Sequence, residues 1–310
     1  MSQRWLPLAA IGLSVVLWSA AYVVSGWALE TGSPAVLSVG RFAIALVVLV
    51  PLAARRPSFV RTLRQPRTIV LGLTGVSLYY SLANIGLLFT TPGTAALTAA
   101  FLPVLTAVAA VTLIHEKLSG RTWLGLALAT LGVGLVAASG FRIDVGVLLN
   151  IAALAAYALY TVLLRKDAGR DDAPDAIVLA TATGIWGTAI MLPWLGWEML
   201  TTTAAVPSDA RGLLSILILA LVVTAPTLVL FNYGAERLPA AISGVATAAI
   251  PALGYAFALL TGEPLDPLKA VGGAIALVGV LIATLATPDI EPSPPGSGLP
   301  EPADLAPTDH

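Results

Sequence analysis

The chain has 310 residues, of which 57% are hydrophobic and only 11% charged, with a formal net charge of -1. Soluble domains carry roughly 25% charged residues, so a soluble globular protein is excluded, and so near-neutral a balance leaves no electrostatic footprint for nucleic acid. With no cysteine present, disulfides, thiolate chemistry and Cys-ligated metals are excluded as well.

Apolar stretches of about 20 residues recur, the length that crosses a hydrocarbon core as helix. Ten spans are predicted, over 6–27, 35–54, 68–89, 93–114, 121–139, 145–165, 176–197, 212–233, 239–261 and 268–286. Helix is required because every backbone polar group in lipid must be paired inside its own segment, and the alternation of a barrel strand is absent. The first span follows Arg4, as a signal peptide would. Its apolar run is longer than an h-region, and Trp18 and Tyr22 crowd the would-be cleavage site, so it is read as a retained helix. The second span contains Arg41, the only basic residue lying away from the ends of a span. After it comes "RRPSFVRTLRQPR", read as a topology signal beside anionic headgroups.

The third span carries Asn84, and the fourth is interrupted by Pro103. Proline removes an N–H and clashes with the carbonyl four residues back. Ala99 is therefore expected to lose its carbonyl's partner and to face protein or a wet cavity. The same holds for Thr247 behind Pro251 in the ninth span. The fifth and tenth spans repeat small residues three or four apart: Gly125, Ala129 and Gly132, then Gly272, Ala276, Gly279 and Ala283. Such rows let helix backbones approach closely, as scaffold or as a homodimer contact. Beyond residue 287 the chain is Pro-rich and acidic, and 288–310 is predicted to be a disordered tail.

The spans form a duplicated unit. Asn84 and Asn232, Gly86 and Gly234, and Pro103 and Pro251 are each 148 residues apart, and Glu116 and Glu263 are 147 apart. A fixed offset marks a duplicated unit. Residues 1–141 and 142–287 are the two copies. Five spans per copy is an odd number, so the second copy enters the membrane inverted, and substrate sites of such folds lie near the midplane between repeats. Pro103 and Pro251 then place hinge-like kinks on either side of a central cavity; kinks that only improve packing are the other reading. Twelve Lys and Arg residues fall on the side of the termini and three on the other, so both termini are expected in the cytoplasm.

This pattern resembles the EamA family of the drug/metabolite transporter superfamily. The resemblance rests on "VLWSAAYV", on "PAVLSVGRFAIA" with its Arg41-Phe42 pair, on the proline-to-glutamate segments with their following Gly-rich helices, and on "AALAAYALYTVLLRK", where Tyr157 stands in place of a frequent Trp. It covers residues 6 to 287. It implies export or exchange of small metabolites, often amino acids or related compounds, across a bacterial inner membrane, in a bilayer and without a resident cofactor.

Candidate substrate contacts follow from residue chemistry. Intramembrane ionisable groups default to function, so Arg41 either holds an anionic group such as a carboxylate or bridges helices. Asn84 and Asn232 either glue helices or flank the cavity. Trp18, Tyr79, Tyr157 and Tyr255 are read as wall, while Trp5, Trp27, Trp123, Trp194 and Trp197 are interfacial anchors. The two histidines, His115 and His310, lie at a helix end and in the tail. Neither can serve a buried nucleophile, and no metal site or enzyme activity is expected. A channel or facilitator for small solutes is the alternative to a carrier.

Overall fold

A computed structural model of the chain describes residues 5–115, 118–138, 144–166, 174–201, 203–235 and 246–286. The tail 288–310, Glu116 and the side chain of Asn232 lie outside the described residues. The helices are α1 (Trp5–Leu29), α2 (Pro34–Ala54), α3 (Pro66–Gly86), α4 (Pro92–Ile114) and α5 (Gly120–Ala138). They continue as α6 (Val145–Lys166), α7 (Ala176–Leu200), α8 (Ala210–Ala235), α9 (Ile250–Leu260) and α10 (Pro267–Ala286). A short helix, Phe59–Leu63, joins α2 to α3. No strand occurs among the described residues.

Eight described helices, α1 to α8, are long and apolar enough to cross a membrane, whereas α9 and the apolar part of α10, Pro267–Ala283, are shorter. The span expected over 239–261 is represented by α9 in its second half. Proline opens several of these helices. Pro34, Pro66 and Pro92 sit in the first turn, where the missing N–H would have been unpaired anyway.

Both third helices, counted within each predicted half, carry a π-helical segment, Leu73–Leu78 in α3 and Leu219–Thr224 in α8. Such wide turns shift the helix face and recur at functional sites.

Pro103 breaks α4 as predicted, but with a different consequence for Ala99. A 3-10 turn spans Ala99–Phe101, and the N–H of Leu102 reaches the Ala99 carbonyl. The tighter turn takes its hydrogen bond from the residue before the proline, so the carbonyl is not left for a cavity. A turn also precedes Pro251, where the Ala249 N–H donates to Ala246 at 3.1 Å and α9 starts at Ile250.

The helix pairing has an exchange pattern. α1 packs on α8 and α9, while α6 packs on α3 and α4. The pairs α2–α7, α4–α9 and α5–α10 join equivalent positions of the two predicted halves. The α5–α10 seam closes on backbone. A Cβ added at Gly132 would sit 2.3 Å from the Ala276 nitrogen, and one at Gly125 2.4 Å from the Ala283 nitrogen. The small-residue rows therefore face each other inside one chain, and this seam is not open to a second copy.

The turns that follow α1, α3, α7 and α9, together with Asp144 before α6, gather at one end, called the loop end here. Ser33 donates its N–H to Ala205 at 2.8 Å, and Thr31 and Thr90 donate hydroxyls to Asp209 and Asp144 at 2.5 and 2.6 Å. Glu263 accepts from the Thr91 hydroxyl and from the Gly93 N–H at 2.9 Å, with Lys269 3.3 Å away. The start of α1 and the end of α10 lie at the opposite end.

Candidate functional site

Three buried hydroxyls organise the middle of the bundle in the same way. Ser38, Thr224 and Thr227 each donate to a carbonyl of their own helix: Pro34 at 2.7 Å, Leu219 at 2.7 Å and Val223 at 2.6 Å. Each hydroxyl oxygen then accepts from a donor on another helix. Asn84 Nδ2 reaches Ser38 at 2.8 Å, Arg41 Nε reaches Thr224 at 2.6 Å, and Trp18 Nε1 reaches Thr227 at 3.0 Å. A hydroxyl has one proton and two lone pairs, so spending the proton at home fixes its lone pair toward the neighbour. Thr224 closes the π segment of α8 and bonds the carbonyl five residues back. The wide turn thereby aims its oxygen at α2.

Arg41 is only 4% exposed. Its Cζ lies 4.8 Å from the Tyr80 ring centroid, an attractive cation–π position. Among the described residues, Nε is the only one of its nitrogens that donates a hydrogen bond. Both terminal nitrogens keep their donors, in the planar fork that matches a carboxylate. Asn84 is likewise buried and donates through Nδ2 alone, leaving Oδ1 without a donor among the described residues. The site holds unspent donors on one helix and an unspent acceptor on another.

A tyrosine cluster stands beside them. Ring centroids are 4.8 Å apart for Tyr79–Tyr80, 5.0 Å for Tyr79–Tyr157 and 5.4 Å for Tyr157–Tyr160. Phe42 meets Tyr80 edge-on at 4.7 Å, and Trp18 meets Phe231 at 4.9 Å. Gly75, within the π segment of α3, makes room: a Cβ there would sit 2.5 Å from the Tyr160 ring.

The structure brings Trp18, Arg41, Tyr79, Asn84 and Tyr157 into this region. Tyr255 stands apart. It packs with Leu97 and Val136, and its hydroxyl accepts the Asp266 N–H at 3.2 Å, so it supports the turn before α10 rather than this cluster. Pro103 and Pro251 lie at breaks of α4 and α9, not among the polar contacts. Sequence reasoning passed over Ser38, Thr224 and Thr227, because lone hydroxyls in apolar helices are common and most bond their own backbone. Tyr80 and Tyr160 were visible as aromatics but not ranked as wall. Glu198 was missed too. It is the only acidic residue within the helices α1 to α10, and that was the available signal.

Apolar helices around a polar, aromatic centre define a multi-pass membrane transport protein. The chain belongs to the EamA-like transporter family, whose model matches residues 5–138 and again 144–285. It is 30% identical over 282 residues to a probable terminal-alkyne amino-acid exporter of Streptantibioticus cattleyicolor, covering 88% of this chain and 91% of that protein. It is 23% identical to an uncharacterized transporter of Archaeoglobus fulgidus over 90% of this chain and 98% of that one. For the uncharacterized transporter YetK of Bacillus subtilis the identity is 26%, over 90% and 84%. A protein of known crystal structure shares the fold, with a TM-score of 0.64 at 20% identity over 91% of this chain and 98% of that one.

Proposed function

We propose that the protein is a secondary transporter that exports an amino acid or related compound across the bacterial inner membrane by alternating access. The observation that carries this reading is Arg41: a buried guanidinium with an unspent fork, beside an aromatic wall and an amide acceptor. A carboxylate would take two parallel charge-assisted bonds there. Tyr79, Tyr80, Tyr157 and Tyr160 offer apolar faces for a side chain, and Asn84 an acceptor for an amine. Asn232, the symmetry mate of Asn84, would complete the site from α8. The exporter of Streptantibioticus cattleyicolor supports the amino-acid reading by its similarity.

The membrane arrangement in this proposal is ten helices in two inverted copies, 1–141 and 142–287, with both termini cytoplasmic. Three observations support it. The family model matches twice, the helix pairs map onto one another when the halves are exchanged, and a π segment recurs in the third helix of each half. α1 runs toward the loop end and α6 away from it, as inversion requires. The ties at the loop end favour a conformation in which the helix ends on that side are drawn together.

The test is comparative metabolomics of culture medium, with the protein overproduced beside an Arg41→Lys variant shown to insert equally. One or a few amino acids should accumulate outside with the parent alone. Media indistinguishable from those of cells without the protein would refute export of common amino acids. Flux that does not saturate in reconstituted vesicles would favour a channel over a carrier.

A further inference from the structure

We infer that the loop end carries a second binding site, for an organic ammonium group, built from Glu198 and Trp194. A pocket of about 380 Å³ opens there, lined by Ser33, Pro34, Ile85, Leu88, Trp194 and Glu198, among others. That volume lies within the roughly 300–1,000 Å³ of small-molecule pockets.

Glu198 is 8% exposed. Its Oε2 accepts the Ser33 hydroxyl at 2.6 Å, and its Oε1 accepts nothing from the described residues. A buried carboxylate with a single neutral partner is under-compensated. The described cations of this end are engaged elsewhere: Arg211 lies 3.5 Å from Glu30 with its Cζ 4.4 Å from the Trp27 ring, and Lys269 lies 3.3 Å from Glu263. Trp194 precedes Glu198 by four residues, so the two side chains share one face of α7. An aromatic face beside a carboxylate is the chemistry that recognises ammonium groups. Ile85, Leu88 and Pro34 supply the apolar walls an aliphatic chain needs.

Pro34 and Arg41 are seven residues apart on α2, about 10 Å by helical rise. The central guanidinium and the Glu198 carboxylate are thus consecutive stations of opposite charge. A zwitterion held by its carboxylate in the centre meets an ammonium site on its way out. The proposal rests on the amino-acid reading for the identity of the cargo, but not for the binding itself.

The test uses the full-length chain in lipid nanodiscs, labelled with fluorotryptophan, with the Trp194 resonance assigned by its loss in Trp194→Phe. n-Butylammonium chloride, n-butanol and sodium chloride are titrated at matched concentrations. The expected result is a saturable shift of that resonance with butylammonium alone. Glu198→Gln keeps a partner for Ser33 and should weaken the response about tenfold or more. An equal response in Glu198→Gln, a saturable shift with butanol or with sodium, or no saturable shift in the parent would each overturn the proposal, and the last needs no variant to fold. Saturable butylammonium binding without amino-acid export would refute the cargo reading and leave the site standing. Amino-acid export without such binding would refute the site alone.

Discussion

The seam between α5 and α10 and the centre between α2, α3, α6 and α8 are both buried, yet they are built on opposite rules. At the seam the residues are small, the contacts are backbone to backbone, and Ala129 and Ala276 are fully buried. At the centre they are large, aromatic or polar, and Arg41 and Asn84 keep hydrogen-bonding capacity that the described residues do not use. Lipid is as apolar as a leucine side chain, so helices associate by close packing rather than by hiding from water. The seam is where the protein spends that packing. The centre gives up tight packing in return for groups that can grip something else.

The comparison predicts its largest effect at Gly132. Gly132→Leu must push α10 away from α5, because the obstacles are the Ala276 nitrogen and the Gly272 carbonyl and not a movable side chain. The cost should reach or exceed the roughly 3 kcal/mol upper end of ordinary overpacking. The variant should lose its monodisperse peak in size-exclusion chromatography after detergent extraction. Gly134→Ala, on the same helix with nothing within 4 Å, should elute like the parent. If both variants elute alike, the seam is not closed on backbone.

Arg41→Lys comes second, with the reverse signature. Lysine keeps the charge but loses the planar fork. Export should fall about tenfold or more, while extraction and elution stay as in the parent. A variant that exports normally would leave Arg41 as a helix bridge. Thr224→Val is a finer test of the same contact. It preserves shape, removes the acceptor of Arg41 Nε, and should cost about 1–3 kcal/mol, the penalty of a buried donor left unpaired. Thermal unfolding in detergent checks it; an unchanged midpoint would mean that Nε finds another partner.

Much of this centre was legible in the sequence. Arg41 stood out as a lone cation in an apolar span, and Asn84 through its repeat. The seam was legible from its spacing, although its partner was not, since small-residue rows look alike whether they meet within a chain or between chains. The π segments left no mark: "LTGVSL" and "LALVVT" read as ordinary helix. Their wide turns are what turn Thr224 toward α2 and let Tyr160 lie against Gly75. Tyr255 misled because α9, "IPALGYAFALL", is apolar all round, so no periodicity says which face meets the centre. The break at Pro103 was legible, but the 3-10 turn that satisfies Ala99 was not, because proline chemistry names the lost bond and not its replacement.

The smallest predicted effect is at a hydrogen-bonded tie between turns at the loop end. Asp209 accepts the Thr31 hydroxyl from the α1–α2 turn and the Gly212 N–H at the start of α8. These bonds, the Thr31 hydroxyl first and the Gly212 amide second, hold its carboxyl below the ordinary carboxylate range. A depressed pKa in the folded state contributes above the unfolded value and is lost as pH falls through the folded one. The tie should therefore be complete at neutral pH and weaken only in acid below the usual aspartate range. Hydrogen exchange at the Gly212 amide, corrected for intrinsic rates, should show protection falling over that acidic window. In Asp209→Asn the same amide should show no pH dependence over that window, since the amide side chain still accepts but does not titrate. Matching profiles for the two proteins would mean that another group governs this end of α8. The seam and the centre should be unmoved by the same acidification, which would mark the loop end as the part of the bundle held by exchangeable ties.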